Sequence, residues 1–151
     1  NQGIRLSFEQ WSAGSPEEYL NDESKIPTTY TDPSGLNPYN SQLSTITIKW
    51  DESSTDEVKQ ERIITQKWIA NWMLGNEAWA DYRRTGYPKL IPTTDEGNMS
   101  GGTVDNKKGA RRMPYPSAEY IDNTVNVQYA VNNYLKRADN MATDLWWACK
   151  P

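Results

Sequence analysis

At 151 residues the chain is long enough for one domain with a core and too short for two. Leu, Ile, Val and Phe supply only 23 residues, so seven Trp and nine Tyr must provide much of the apolar area. Sixteen bases against twenty acids, with no histidine, exclude a basic nucleic-acid-binding face, His-based catalysis and most zinc sites.

In chain order, Ile4, Phe8 and Trp11 fall at i, i+4 and i+7 and predict a short helix with one apolar face. Ser15-Pro16-Glu17-Glu18 has the form of a helix start. Residues 26–42, with three prolines, predict a loop in which Tyr30 and Tyr39 are the aromatics best placed for exposure to a sugar. Ile46, Ile48 and Trp50 alternate with Thr47 and Lys49, the pattern of a half-buried strand, and residues 110–116 are its candidate partner, with Pro114 confining it to an edge. The longest helix is predicted over 54–74, capped by Ser54 with Glu57 three residues on. Its second half is apolar around most of its circumference, as expected of a helix driven end-on into a core.

Gly75 ends that helix, Asn76 is expected to cap a shorter one, and Gly86 followed by Pro88 ends that one. Residues 93–110 hold four glycines and predict a long exposed loop. A final helix is predicted over 124–136 from Val127, Ala130, Val131, Tyr134 and Leu135. The fold class read from these elements is mainly α, with long irregular loops and one or two short strands.

Few residues suggest chemistry. Glu77 and Asp81 lie one turn apart, a spacing that suits a glycosidase carboxylate pair and equally a solvated helix face. Arg83 and Arg84 suit an anion clamp, or a helix C-terminus whose dipole they complement. Asn98-Met99-Ser100 matches a glycosylation sequon, and residues 105–109 lack the alternating oxygen ligands of a calcium loop. Cys149 is the lone cysteine and leaves the redox compartment unread. Trp68, Trp72 and Trp79 neighbour Ile64, Ile69 and Met73, which places them in a core rather than on a sugar platform. No catalytic, metal-binding or cofactor-binding residue is assigned.

Taken together, GIRLSFEQW (3–11), ITIKWDE (46–52), the long run 62–90, RRMPYPSAEY (111–120) and DNMATDLWW (139–147) resemble the C-terminal portion of the SusD/RagB family of Bacteroidetes outer-membrane nutrient-binding lipoproteins. The resemblance implies that residues 1–151 are one segment of a longer, mostly helical domain whose N-terminal part carries tetratricopeptide-like helix pairs. It implies a non-catalytic, cofactor-free protein that captures glycan or another nutrient for a SusC-like TonB-dependent transporter. Surface exposure and a lipid anchor at an N-terminus outside this chain are implied as well, and the opening without methionine or leader is read in that sense. No glycan contact carries over. Trp68, Trp72, Trp79, Tyr82, Arg83, Arg84, Gly86, Pro88, Trp146 and Trp147 are instead expected to be packing residues, with Trp72 deeply buried. Ala148-Cys149 departs from the acid that often follows the tryptophan pair. A glycoside hydrolase fragment, and a purely structural or transporter-facing segment without its own ligand site, are the alternatives.

Overall fold

The computed structural model describes residues 1–35, 43–95 and 97–148, which are helical and irregular with no β-strand. Helix α1 spans Gln2–Gln10 and half-buries Ile4 and Phe8, while Trp11 falls beyond its end and is exposed. Ser12, in the left-handed region at φ 51°, turns the chain out of the helix. Helix α2, Glu17–Leu20, begins where Ser15 Oγ accepts from the Glu17 amide at 3.4 Å, and it buries Leu20. An Arg5–Glu17 ion pair ties the two helices.

The strand expected at 46–50 does not form. Alternation marks a one-sided surface but supplies no ladder partner, and the segment bonds elsewhere. Thr47 O accepts from the Arg62 guanidinium at 2.9 Å, and the Lys49 amide donates to Asp22 O at 3.1 Å. Residues 110–116 are extended but likewise unpaired as a strand, because the Arg111 amide donates to Met141 O at 2.7 Å.

Helix α3 spans Asp56–Ala70, with Thr55 rather than Ser54 as its cap: Thr55 Oγ1 accepts from the Val58 amide at 3.5 Å. Ser54 is diverted, its hydroxyl donating to Asp51 at 2.7 Å. The helix stops four residues earlier than its apolar pattern predicts. Residues 71–74 make a tight turn, with Leu74 N donating to Asn71 O at 2.8 Å and Met73 at φ 71°.

Helix α4, Gly75–Thr85, starts without the side-chain cap expected from Asn76. It ends as predicted at Gly86, whose φ of 78° is the left-handed conformation that glycine takes without strain. Thr85 Oγ1 donates to Asp81 O at 2.7 Å and accepts from the Tyr87 amide at 3.1 Å, closing the joint before Pro88.

The 93–110 segment is a chain of turns held by short polar side chains. Asp105 accepts from the Lys107 and Lys108 amides, and the Asn98 amide group donates to Val104 O at 2.9 Å. Helix α5 covers Ser117–Asp122 and α6 covers Thr124–Ala130. The predicted run to 136 widens at Val131–Leu135, where Lys136 N reaches back five residues to Val131 O at 2.9 Å. A short turn, Trp146–Ala148, packs back on α4.

Among the described residues the buried apolar side chains are Leu20, Ile64, Pro88 and Val127, whereas Glu61, Arg62, Asp81, Arg111 and Arg112 are also buried. The aromatic core expected from composition is therefore not enclosed within this chain. Its accessible surface is 10806 Å², against roughly 7,800 Å² for a self-contained monomer of 17.3 kDa. The rings account for part of the difference: Trp72 is 81% exposed and Trp146 84%. That contradicts the burial expected of Trp72.

Candidate functional site

Two regions of the fold gather side chains able to bind or to pack: a polar joint around α4 and an apolar cleft beside α3. The joint is built from segments far apart in sequence. Trp79 Nε1, on α4, donates to Ala110 O at 2.8 Å and so draws the 110–115 segment alongside. One turn later the Arg83 guanidinium lies 3.7 Å from the centre of the Trp79 ring and 5.2 Å from that of Trp147, a cation between two indoles. Arg83 donates to Arg111 O at 3.1 Å, and Arg111 donates in return to Arg83 O.

Behind them, Arg111 Nε meets Asp144 at 2.6 Å, and Lys108 Nζ meets the second Asp144 oxygen at 2.9 Å. Burial by itself raises the Asp144 pKa, but hydrogen bonds from Lys108 and Arg111 outweigh it and hold the carboxyl below its ordinary range. Arg112 and Asp139 form a second buried pair, completed by the Tyr120 hydroxyl donating to Asp139 at 2.6 Å and by the Tyr115 amide. Asp139 is depressed in the same way, with burial opposed by bonds from Tyr120 and Arg112. These two pairs span 33 and 27 residues. In the sequence the only signal for these pairings is the adjacent Arg111 and Arg112 in one stretch and Asp139 and Asp144 in the other.

Asp81 sits at 2.6 Å from Lys67 and 3.1 Å from Arg84, buried between α3 and α4. Burial pushes its pKa up, yet Lys67 and Arg84 prevail and keep it low, the opposite of a general acid at neutral pH. Its supposed companion Glu77 is exposed. Asp81 is therefore not the raised carboxyl that acid catalysis requires. Arg84 is accounted for by Asp81, and the Asn98 side chain is occupied by Val104 O and Ser100.

Tyr82 is half-buried, and its hydroxyl faces Lys107 O at 3.4 Å. Gly86 and the buried Pro88 form the bend beyond it. Tyr30 is 43% exposed on the irregular 26–35 segment and lines neither cleft; Tyr39 and Cys149 lie outside the described residues.

The apolar cleft, about 540 Å³, opens between α1, α3 and the 48–50 segment. Phe8 and Tyr19 form one wall, their ring centres 5.8 Å apart, and the Tyr19 hydroxyl donates to Gln66 at 2.8 Å. Ile63 and Ile69 form the other and remain 55% and 52% exposed. Beyond them Trp68, Trp72, Met73 and Leu74 are all exposed, so the C-terminal end of α3 and the 71–74 turn after it present a broad apolar surface. Among the described residues no group of His, Cys, Asp or Glu side chains is placed to hold a metal ion.

Comparison with known proteins places this arrangement. The family model for SusD-like proteins, described as the SusD and RagB outer membrane lipoprotein family, matches residues 1–148. A SusD homologue from Bacteroides uniformis is 70% identical, with a TM-score of 0.87 over 99% of this chain and 30% of its own. A chitin-binding SusD homologue from Flavobacterium johnsoniae is 39% identical, with a TM-score of 0.82 over 99% of this chain and 30% of its own. A homologue from Bacteroides ovatus is 43% identical, with a TM-score of 0.80 over 99% and 32%. No curated protein matches the chain. The chain thus spans about a third of the length of these solved structures, and its mainly helical fold is theirs over that stretch. It belongs to the SusD-like family.

Proposed function

We propose that this chain, as a SusD-like family member, is the C-terminal part of a non-catalytic outer-membrane lipoprotein that captures glycan or another nutrient. The intact protein is held at the cell surface by a lipid on an N-terminus outside residues 1–151, and it delivers its ligand to a SusC-like TonB-dependent transporter. The glycan reading is supported by the family match and by the relative whose ligand is chitin.

The observation that carries the partial-chain reading is the uncovered apolar surface formed by α3 and the 71–74 turn after it. Ile63, Ile69, Trp72, Met73 and Leu74 stand open beside a cleft of about 540 Å³. The total surface exceeds that of a self-contained monomer by roughly 3,000 Å². A self-contained domain does not leave such a run of large apolar side chains open to water, and a partner surface is expected to cover them. The N-terminal helices of the same chain are the occupant this reading assigns. The main ligand platform then lies outside residues 1–151, and the α4 joint supports that platform without forming part of it.

Titrating neutral oligosaccharides, chitin fragments among them, into the full-length protein and into this segment tests the reading. Saturable binding by the full protein alone is the expected result. Binding by the segment alone moves the site into it, and release of reducing sugar ends the non-catalytic claim.

A further inference from the structure

The cleft on the outer side of the α4 joint is electropositive in a chain whose net charge is −4. It measures about 460 Å³ and lies between the C-terminal half of α4, the 107–111 segment and Arg137. Six cationic side chains line it: Arg83, Arg84, Lys107, Lys108, Arg111 and Arg137. Asp144 is the single carboxylate among the lining residues, and its charge is shared by Lys108 and Arg111. Arg84 is taken by Asp81. Among the described residues, Arg83, Lys107 and Arg137 have no carboxylate partner.

These three are not an ordinary solvated charge run, because they come from separate segments and converge on a concavity. Arg83 in particular is fixed by its two flanking indoles and by its bond to Arg111 O, and it lines the cleft without a carboxylate partner. A guanidinium held in place, beside two exposed cations, is the donor set an oxyanion requires. The α4 C-terminus adds only about half a negative charge, against three unpaired cations.

We propose that this cleft binds a carboxylate or sulfate group borne by a saccharide, with Arg83 as the fixed donor and Lys107 and Arg137 closing over the anion. It would give the protein a subsite for acidic sugar units, separate from capture of neutral glycan. Burial and the neighbouring Arg111 charge both lower the Arg83 pKa, a pressure that a bound anion relieves.

The test is calorimetric titration of the full-length protein with a hexuronate trisaccharide, a neutral hexose trisaccharide and sodium sulfate. The hexuronate should bind saturably in 50 mM salt and severalfold more weakly in 200 mM. The double variant K107A/R137A removes two exposed side chains that make no ion pair, so circular dichroism should show it folded. It should lose tenfold or more in hexuronate affinity. Equal binding of acidic and neutral trisaccharides overturns the proposal, as does hexuronate binding indifferent to the two substitutions. Sulfate binding without hexuronate binding overturns its saccharide source. Since only the difference between acidic and neutral sugar is scored, the outcome is separate from whether the protein captures neutral glycan.

Discussion

Arg83 and Arg111 each donate a guanidinium hydrogen bond to the other's backbone carbonyl, so two like charges are held together by main chain rather than by a counter-ion between them. The arrangement persists because Asp144 neutralises Arg111 from behind and two indoles accept Arg83 on their faces. It fastens α4 to the chain 28 residues later.

That fastening sets the first prediction. Asp144→Asn strands the buried Arg111 without a counter-ion and should cost about 3 kcal/mol or more. Arg111→Lys keeps the charge but loses the reach to Arg83 O, and should cost less. Urea unfolding of the full-length variants gives both values. Equal, small effects would show that the pair is dispensable.

Acid should loosen the same region. Asp81, Asp139 and Asp144 all have folded-state pKa values below ordinary, since paired cations and donors outweigh burial. A depressed carboxyl contributes stability that is fully present above its unfolded pKa, about 4, and is lost as pH falls through the folded value. Urea midpoints should therefore be flat from pH 7 to about 5 and fall below about 4. In Asp144→Asn the fall should be shallower.

Gly86→Ala should cost about 1 kcal/mol from backbone strain alone. The φ of 78° disfavours a Cβ, while no atom lies within 4 Å of where that Cβ would sit. Gly86→Asn should cost less, because asparagine tolerates the left-handed region. A loss of several kcal/mol in Gly86→Ala would mean that another part of the protein packs on the bend.

The start of α3 distinguishes two adjacent hydroxyls. Thr55→Ala removes the side chain that accepts from the Val58 amide and should cost about 1 kcal/mol. Ser54→Ala should cost a few tenths, its bond to Asp51 being exposed. The reverse order would return the cap to Ser54.

Trp72→Ala reports on what covers α3. In the full-length protein it should cost about 3 kcal/mol or more if the N-terminal helices bury the ring. A change within about 0.5 kcal/mol would leave Trp72 as exposed there as in this chain, at 81%. Chemical denaturation of the two proteins decides between them.

How much of this was legible in the sequence differs from element to element. Gly86 was readable because a glycine followed by proline at a helix end has one local solution, an αL cap and a stop. The α3 start was readable to within one residue, since two neighbouring hydroxyls competed for it and Asp51 claimed Ser54. The strand at 46–50 was misread because alternation reports a one-sided surface and says nothing of a ladder partner. The long final helix was misread at Val131, where no glycine or proline marks the change of pitch.

Sequence by itself thus determined most of the helices, the α4 stop at Gly86 and the family, because caps, periodicity and distinctive motifs are local properties of the chain. Tertiary structure decided the rest. Which arginine met which aspartate depended on bringing together segments 27 to 33 residues apart, and no spacing rule encodes that. It also decided which aromatic rings lay against a neighbour and which lay open. Hydrophobic pattern records that a side chain prefers to leave water, and only the packed coordinates show whether this chain supplies the surface that receives it.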